Sequence, residues 1–470
     1  LSCEKDENND PPQQIADVYG CTDTLCFNFD PEANIDDMSC WCDTNSQEVN
    51  IVLSGSVGTR TLHPDSGTYI LNGFVHVDEG DVLTIEAGTV IKGMNGSGAD
   101  ASALIVARGG RIMAEGTADN PIIFTSINDD LAGSLDETIT GEWGGVIILG
   151  NAVLNTSNTE QNVEGIPTTE AYAKYGGNND LDNSGVFKYV SIRHGGTNIG
   201  EGNEINGLTL AGVGSETVIE HVEIYACSDD GIEFFGGAAN VKWAVTAYCG
   251  DDSYDYDQGW RGKGQFWVTV HGGDRGGEHD GGTNPENGTP YAKPTIYNAT
   301  YVGIGIEAGK RAITFRDNAG GYYNNSIFVG YGKGVDIEDL TAENGSDSWE
   351  RFEMGDLALS GNIFWNTQQA DGAATAADLF VVNAPGGFDT PADSTSRIAA
   401  LVASFAANGN SVKNPGVSAQ GTIDLSPDGA VVSGATSAPD SWFTPVTYAG
   451  AIDPSTTNWL TGWTRVSTKF

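Results

Sequence analysis

From about residue 69 to 366, short apolar runs alternate with clusters of glycine, asparagine and aspartate. The stretches "VLTIEAGTVIKG", "GGVIILGNAVL", "NGLTLAGVG", "VIEHVEIYACS" and "NVKWAVTAYCG" are representative. Within them apolar side chains recur at every second position, as at Val190 and Ile192 or Leu208 and Leu210, the period of a strand with one buried face. The runs follow one another too closely for helices to intervene. The pattern repeats at about 22 to 36 residues, and a unit of that size cannot bury its own apolar face, so stacked coils are expected. The fold predicted is all-β, a right-handed parallel β-helix. A β-propeller is the competing repeat, but it needs four strands in each blade of about 40–50 residues and many more hairpins.

The period is interrupted at 127–141, 155–184 and 272–293, where turn residues crowd, and these stretches are predicted to project as loops. "STSRIAALVASFAANGN" at 394–410 instead sets Ile398, Leu401, Val402 and Phe405 at helical spacing, with serine before and glycine after. A helix here is expected to cover the last coil, and Trp459 and Trp463 to pack within a C-terminal cap. The organisation predicted is a tether over 1–19, a disulfide-stapled Cys-rich acidic module over 20–45, the β-helix over 46–385, and a C-terminal insertion and cap over 386–470.

One pair of coils carries more than packing. "CSDDGIEF" at 227–234 is answered 22 residues later by "CGDDSYDY" at 249–256. With one coil per 22 residues, Cys227 lies over Cys249, Asp229 over Asp251, Asp230 over Asp252 and Glu233 over Asp255, at the ~4.8 Å strand spacing. That spacing predicts a Cys227–Cys249 disulfide. Upstream, offset 22 sets Val222 over Ala244, whereas Val222 over Val245 needs 23, so a bulge between strand and turn is expected. Ile232 and Phe234 alternate with Glu233, and Tyr254 and Tyr256 with Asp255 and Asp257, which places the carboxylates on one face, the outer one.

Like charges stacked ~5 Å apart repel by about 1–3 kcal/mol per pair. Three kinds of relief are available. Calcium can be held by Asp229, Asp230, Glu233, Asp251, Asp252, Asp255 and Asp257. One partner can stay protonated, which is how paired carboxylates become an acid and a base. Arg261 and Lys263 can fold back as ion-pair partners. The neighbouring Trp243, Tyr254, Trp260 and Trp267 are candidates for stacking on a sugar ring, the alternative being an aromatic ladder inside the coil. "HGGDRGGEHDGG" gathers His271, Asp274, Arg275, Glu278, His279 and Asp280 and reads as a polar glycine-rich loop without zinc-site spacing.

Composition narrows the partners. Sixty-four acidic residues stand against 22 basic ones, a formal charge of −42 spread along the 470-residue chain. Such a surface excludes nucleic acid and repels bare polyanions unless divalent cations invert the local field. No apolar run reaches the ~18 residues that would span a bilayer.

Seven cysteines are present. The segment "GCTDTLCFNFDPEANIDDMSC" resembles a short Cys-rich module of secreted and surface proteins of the Bacteroidota. The resemblance implies an oxidising compartment and two bridges among Cys21, Cys26, Cys40 and Cys42, in any of three pairings. Asp23, Asp30, Asp36 and Asp37 are candidate calcium ligands there. "LSC" resembles the end of a bacterial lipobox and marks Cys3 as an acylated residue. "EKDENND" resembles the acidic tag of exported lipoproteins, which implies lipid anchoring on the outer membrane, facing the cell exterior. "GGRIMAEGTADNPIIFTS" is similar to segments of surface β-helix proteins of the pectate-lyase-like architecture.

The function expected is that of a cell-surface lipoprotein that binds an extracellular glycan or a partner surface protein through a calcium-stabilised β-helix, with no organic cofactor. A polysaccharide lyase or glycoside hydrolase acting at 229–261 is the alternative, with Asp229, Asp230, Asp251, Asp252 and Arg261 as catalytic candidates. Pectate-lyase-like enzymes pair calcium-binding acids with an arginine or lysine base, an arrangement that Asp229, Asp251, Asp255 and Arg261 imitate without the local motifs. Polygalacturonase-like hydrolases carry a neighbouring Asp pair, as in "SDDG", but their Gly-His-Gly and Arg-Ile-Lys motifs are absent. A structural or accessory subunit of an outer-membrane transport complex is the third reading.

Overall fold

Apolar side chains at alternate positions find partners one coil away, and the chain winds accordingly. In the computed structural model, strands of successive coils pair in parallel and join into one 27-stranded sheet, a right-handed parallel β-helix. The structure describes residues 18–20, 33–36, 49–200, 203–282, 284–340, 347–367, 375–385, 387–388, 391–419 and 421–470. It divides into two units, 1–49 and 50–470. In the first, Tyr19–Gly20 pairs in parallel with Ile35–Asp36. Cys3, Cys21, Cys26, Cys40, Cys42, Asp23, Asp30 and Asp37 lie outside the described residues, as does the side chain of Asp36. No helix among the described residues is long and apolar enough to cross a membrane.

Each middle coil consists of a long bent strand and a short one. Val218–Tyr225 is followed by Ile232–Phe235, then Asn240–Ala247 by Tyr254–Asp257, then Lys263–Val270 by Arg275–Asp280. The 22-residue offset holds without a bulge: Val222 pairs with Ala244, Ile232 with Tyr254 and Glu233 with Asp255. Ala244, a small side chain, is accommodated because Trp267 pairs with it in the next coil, at offset 23, and fills the lumen.

The bend in each long strand is made by a residue at positive φ, and these stack as Tyr189, His221, Trp243 and Phe266, with φ between 49° and 58°. L-residues rarely adopt that conformation. Ring stacking along the column, with centroids 4.1, 4.6 and 5.6 Å apart, offsets its cost. In the later coils asparagine takes the same corner, at Asn298 and Asn325.

The stretch 272–293 is only partly a loop. Arg275–Asp280 is a regular strand, pairing Glu278 with Asp255 on one side and with Thr314 on the other. Its lumen positions hold Gly277 and His279 in place of aliphatic residues, so no apolar period marks it. His279 is fully buried between Tyr256 and Tyr323, and its Nε2 lies 2.8 Å from the Tyr323 hydroxyl.

The helix Pro391–Ala407 sets Leu401 and Phe405 against Phe364 and Phe380 and covers the last coil. The remainder of the C-terminal segment does not extend that cap. It passes back and forth over the outside of the long strands, burying Ile423, Leu425, Ile452, Leu460 and Val466 against Tyr225, Val245, Val268 and Val270. Trp459 and Trp463 therefore pack edge-on against His221, several coils away from the covered end. Glu223 anchors this strap: its buried carboxylate accepts from the backbone N–H groups of Arg465 and Val466, each at 2.8 Å, and from Ser191 Oγ at 2.5 Å.

Candidate functional site

The outer face of the short strands changes character along the solenoid. Through the first coils it is apolar, with Ile105, Ile147 and Leu149 facing outward, and the insertion at 150–184 covers it with Leu154, Val163, Ile166 and Tyr175. Strands buried on both faces read as continuous apolar runs, which accounts for "ALIV" and "VIIL". One column then continues as Thr209, Glu233, Asp255, Glu278, Thr314 and Asp336. Carboxylates thus take over the outer face where the insertion ends.

The carboxylates face outward as expected, yet of the ledge acids only Asp251 is open to water. Glu233 is only 9 % exposed and Asp230 only 6 %. The Asn206 amide donates to Glu233. Glu164 of the insertion and Glu204 of a short hairpin, Asn198–Gly200 with Asn203–Glu204, approach the same corner and add charge to it. The result is an acidic ledge in which oxygens of Asp229, Asp230 and Asp251, and separately of Asp230, Glu233 and Asp255, lie within 4.8 Å of one another. Asp230 belongs to both groups, and its Oδ1 also accepts from the backbone N–H of Asp252 at 2.8 Å. Asp255 Oδ1 is shielded from solvent and has no hydrogen-bond partner.

Burial and mutual repulsion raise Asp229, Asp230, Glu233 and Asp255. Asp229 is pushed up to about 7, by burial first and then by the charges of Glu204 and Asp251. Burial likewise raises Asp230, with Asp252 and Asp229 adding to it, and Glu233, with Asp230 and Glu164 adding to it. Asp255 is raised by burial and then by Asp230 and Glu233.

One coil further on the same column is neutralised. Arg275 reaches Asp252 and Glu278, both at 3.0 Å, and Arg316 reaches Glu278 at 2.9 Å and Asp280 at 2.7 Å. Arg311 pairs with Asp336 at 3.0 Å. Among the described residues no basic side chain pairs with Asp229, Asp230, Glu233, Asp251 or Asp255. A third acidic group, Asp251, Asp252 and Asp274, differs in kind, because Arg275, Lys310 and Arg311 pair with its members.

Several expected roles are overturned. Arg261 and Lys263 do not fold back on the ledge. Arg261 pairs with Asp180 of the insertion and donates to the carbonyls of Val153, Gly237 and Gly259, while Lys263 pairs with Asp440 at 2.5 Å. A base role for Arg261 beside Asp229 and Asp251 is thereby removed; the residue holds the insertion down. Arg261→Ala is expected to cost about 2 kcal/mol, the scale of hydrogen bonds to a charged group, and to open 155–184 to protease without altering the ledge. Unchanged stability and unchanged cleavage would refute that role.

Tyr254, Trp260 and Trp267 do not present a sugar platform. All three are fully buried in the lumen, where Trp260 stacks on Phe234 at 4.0 Å and Tyr254 on Trp267 at 4.4 Å. Trp243 is half-buried beneath the strap. Cys227 and Cys249 do stand in adjacent coils, with Gly250 N–H donating to the Cys227 carbonyl at 2.9 Å, but both are free, buried thiols. In-register parallel neighbours hold their Cβ atoms near the ~4.8 Å strand spacing. A disulfide needs about 3.5–4.5 Å. Burial raises both thiols, which keeps them protonated. His271 and His279 do not join the acids: His279 is in the lumen, and His271 Nε2 lies 2.6 Å from the Ala419 carbonyl oxygen.

No pattern in the residue order marks the cleft beside the ledge. It has a volume of about 510 Å³ and lies between the insertion and the outer face of the short strands. Glu164 and Asp257 line it, with the amides of Gln161, Asn162, Gln258 and Asn284 and the rims of Tyr175 and Phe235. The Tyr175 hydroxyl donates to Gln258 Oε1 at 2.9 Å, which ties the insertion to the coil.

Residues 55–415 match the family model described as a pectate-lyase like beta helix domain. No curated protein matches the chain. Among solved structures, the catalytic domain of Agl-KA is similar over 68 % of this chain and 60 % of its own length, at 13 % identity and a TM-score of 0.27, so the chain spans less than two thirds of that domain.

Proposed function

The chain belongs to the pectate-lyase-like β-helix domain family, and from that premise we propose that it is a calcium-stabilised extracellular binding protein whose ligand is a glycan. The observation that carries the reading is the change of charge balance along one column. Downstream, Glu278, Asp280 and Asp336 each have an arginine, whereas Asp229, Asp230, Glu233, Asp251 and Asp255 gather in two groups that share Asp230 and have no basic ion-pair partner among the described residues. A hard divalent cation that accepts six to eight oxygens in flexible geometry completes such a cluster. Asp230, shared by both groups, is its central ligand. The same reading places the protein at the exterior of the bacterial outer membrane, tethered through Cys3.

A second reading, glycoside hydrolysis, is favoured by one observation. Asp229, Asp230, Glu233 and Asp255 are raised, and a carboxyl protonated near neutral pH is what a general acid requires. Release of reducing ends from a bound glycan, lost in Glu233→Gln, distinguishes hydrolysis from binding.

The cation is tested directly. Terbium, a luminescent calcium substitute excited through nearby tyrosines, is expected to bind and to be displaced by calcium. Calcium at about 100 times its Kd should stabilise the fold by about 2.7 kcal/mol. Asp230→Asn is expected to abolish both effects while leaving the metal-free protein as stable as before or more so, because the substitution relieves repulsion. No terbium signal, or an undiminished calcium effect in Asp230→Asn, would sink the reading.

A further inference from the structure

The cleft of about 510 Å³ next to the ledge has the size of a small-ligand site, for which ~300–1,000 Å³ is usual. It is built by two separate parts of the chain. The hairpin of Gln161–Asn162 and Lys174–Tyr175 forms one wall, and Phe235, Asp257 and Gln258 of consecutive coils form the other. Arg261 with Asp180, and Arg108 with Glu160 at 2.5 Å, fasten the insertion to the solenoid.

Its chemistry is one-sided. Among the described residues the polar groups lining it are carboxylates and side-chain amides, with the hydroxyls of Thr156, Thr168 and Tyr175, and none is a lysine, arginine or histidine. Carboxylates accept only, whereas amides donate and accept, so the set matches a molecule rich in hydroxyl or ammonium donors. A uronate or sulfate group would meet Glu164 and Asp257 with no cationic side chain in the lining to receive it. Tyr175 and Phe235 are 2 % and 7 % exposed and show only their rims, which leaves hydrogen bonding rather than ring stacking as the source of selectivity.

We infer that this cleft is the glycan subsite and that it takes a hydroxyl-rich oligosaccharide without anionic groups, neutral or amino-substituted. The inference rests on the glycan-binding reading and specifies its ligand class. Titration calorimetry of the full chain in calcium, with a glucosamine oligomer, a neutral glucose oligomer and an oligogalacturonate, tests it. The glucosamine oligomer is expected to bind at least as tightly as the glucose oligomer, and the oligogalacturonate at least about tenfold more weakly than either.

Thr168 is exposed, so Thr168→Trp fills the cleft without disturbing a packed position, and it should remove oligosaccharide binding. Glu164→Lys should reverse the preference between the glucosamine oligomer and the oligogalacturonate. Tightest binding by oligogalacturonate, binding indifferent to both substitutions, or no binding by any of the three overturns the inference. Terbium luminescence in Thr168→Trp scores the cation reading separately: signal retained without any oligosaccharide binding in the parent protein refutes the cleft assignment alone.

Discussion

Glu223→Ala is expected to destabilise the protein by about 3–5 kcal/mol and to release the C-terminal segment from the outer face of the solenoid. Glu223 is completely buried, and its two oxygens take three hydrogen bonds, two of them from the backbone of Arg465 and Val466. Removing the carboxylate leaves two N–H groups without an acceptor, at about 1–3 kcal/mol each, beyond the loss of the bonds themselves. The hydrophobic contact of Leu460 and Val466 with Tyr225 and Val245 is held in register by these bonds and would loosen with them. Glu223→Gln keeps one acceptor oxygen and should lose about half as much. Denaturant unfolding measures the loss, and limited proteolysis within 411–470 reports release. A Glu223→Ala protein with the parent's midpoint and the parent's resistance to cleavage would show that apolar packing alone holds the strap.

The second large effect concerns pH. Asp229 and Glu338 are pushed up to about 7 and Asp317 to about 6, all chiefly by burial, and Asp230, Glu233 and Asp255 are raised as well. The unfolded chain releases the corresponding protons near pH ~4. Between these limits each of these carboxyls binds more protons folded than unfolded, so their contribution to stability falls as pH rises from about 4 through 7.

Buried histidines act the other way at the lower end of this range: burial lowers His194, His221 to about 4 and His279 to about 3, so they add stability as pH rises towards about 6.5 and nothing further above it. Glu137 and Asp440, lowered by hydrogen bonds from Lys469 and Lys263, lose their contribution only as pH falls below about 4. Calcium needs the deprotonated ledge, so its binding strengthens over the same interval in which the contribution of these carboxyls falls. Melting temperatures from about pH 6.5 to 8, where the histidines no longer contribute, are expected to fall in chelator and to stay level or rise in calcium, so that the two curves diverge. Parallel curves, or a metal-free protein that gains stability towards pH 8, would rule out a cation on the raised acids.

Much of this arrangement was legible from residue order. Alternation at Ile232, Glu233 and Phe234, and its echo at Tyr254, Asp255 and Tyr256, gave both the strand and the face of each carboxylate, because side-chain direction in a strand follows from position alone. The 22-residue offset gave the neighbour. The partners that arrive from elsewhere were hidden. Arg275 and Arg316 neutralise the column, but Arg275 opens a strand whose lumen residues are Gly277 and His279, so no apolar period marked it as part of the sheet. Trp260 and Trp267 look the same in sequence whether they face a ligand or a lumen; the small Ala244 paired with Trp267 decides it, and only the register reveals that pairing. The cleft depends on an insertion whose placement is set by Arg261 and Asp180, 81 residues apart.

An unadorned solenoid is held coil to coil, so it can fray inward from either end one turn at a time. Here the strap hydrogen-bonds to Asn325 from Thr436, to Lys242 from Trp442, to Gln265 from Thr444, to Asn298 from Tyr448 and to Glu223 from Val466, so it crosses the same coils more than once. Opening any one of them also pulls on a segment fastened to the others. A ladder of nearest-neighbour contacts has acquired a tie-rod, and its central turns, which carry the ledge and the cleft, are bound to yield together or not at all.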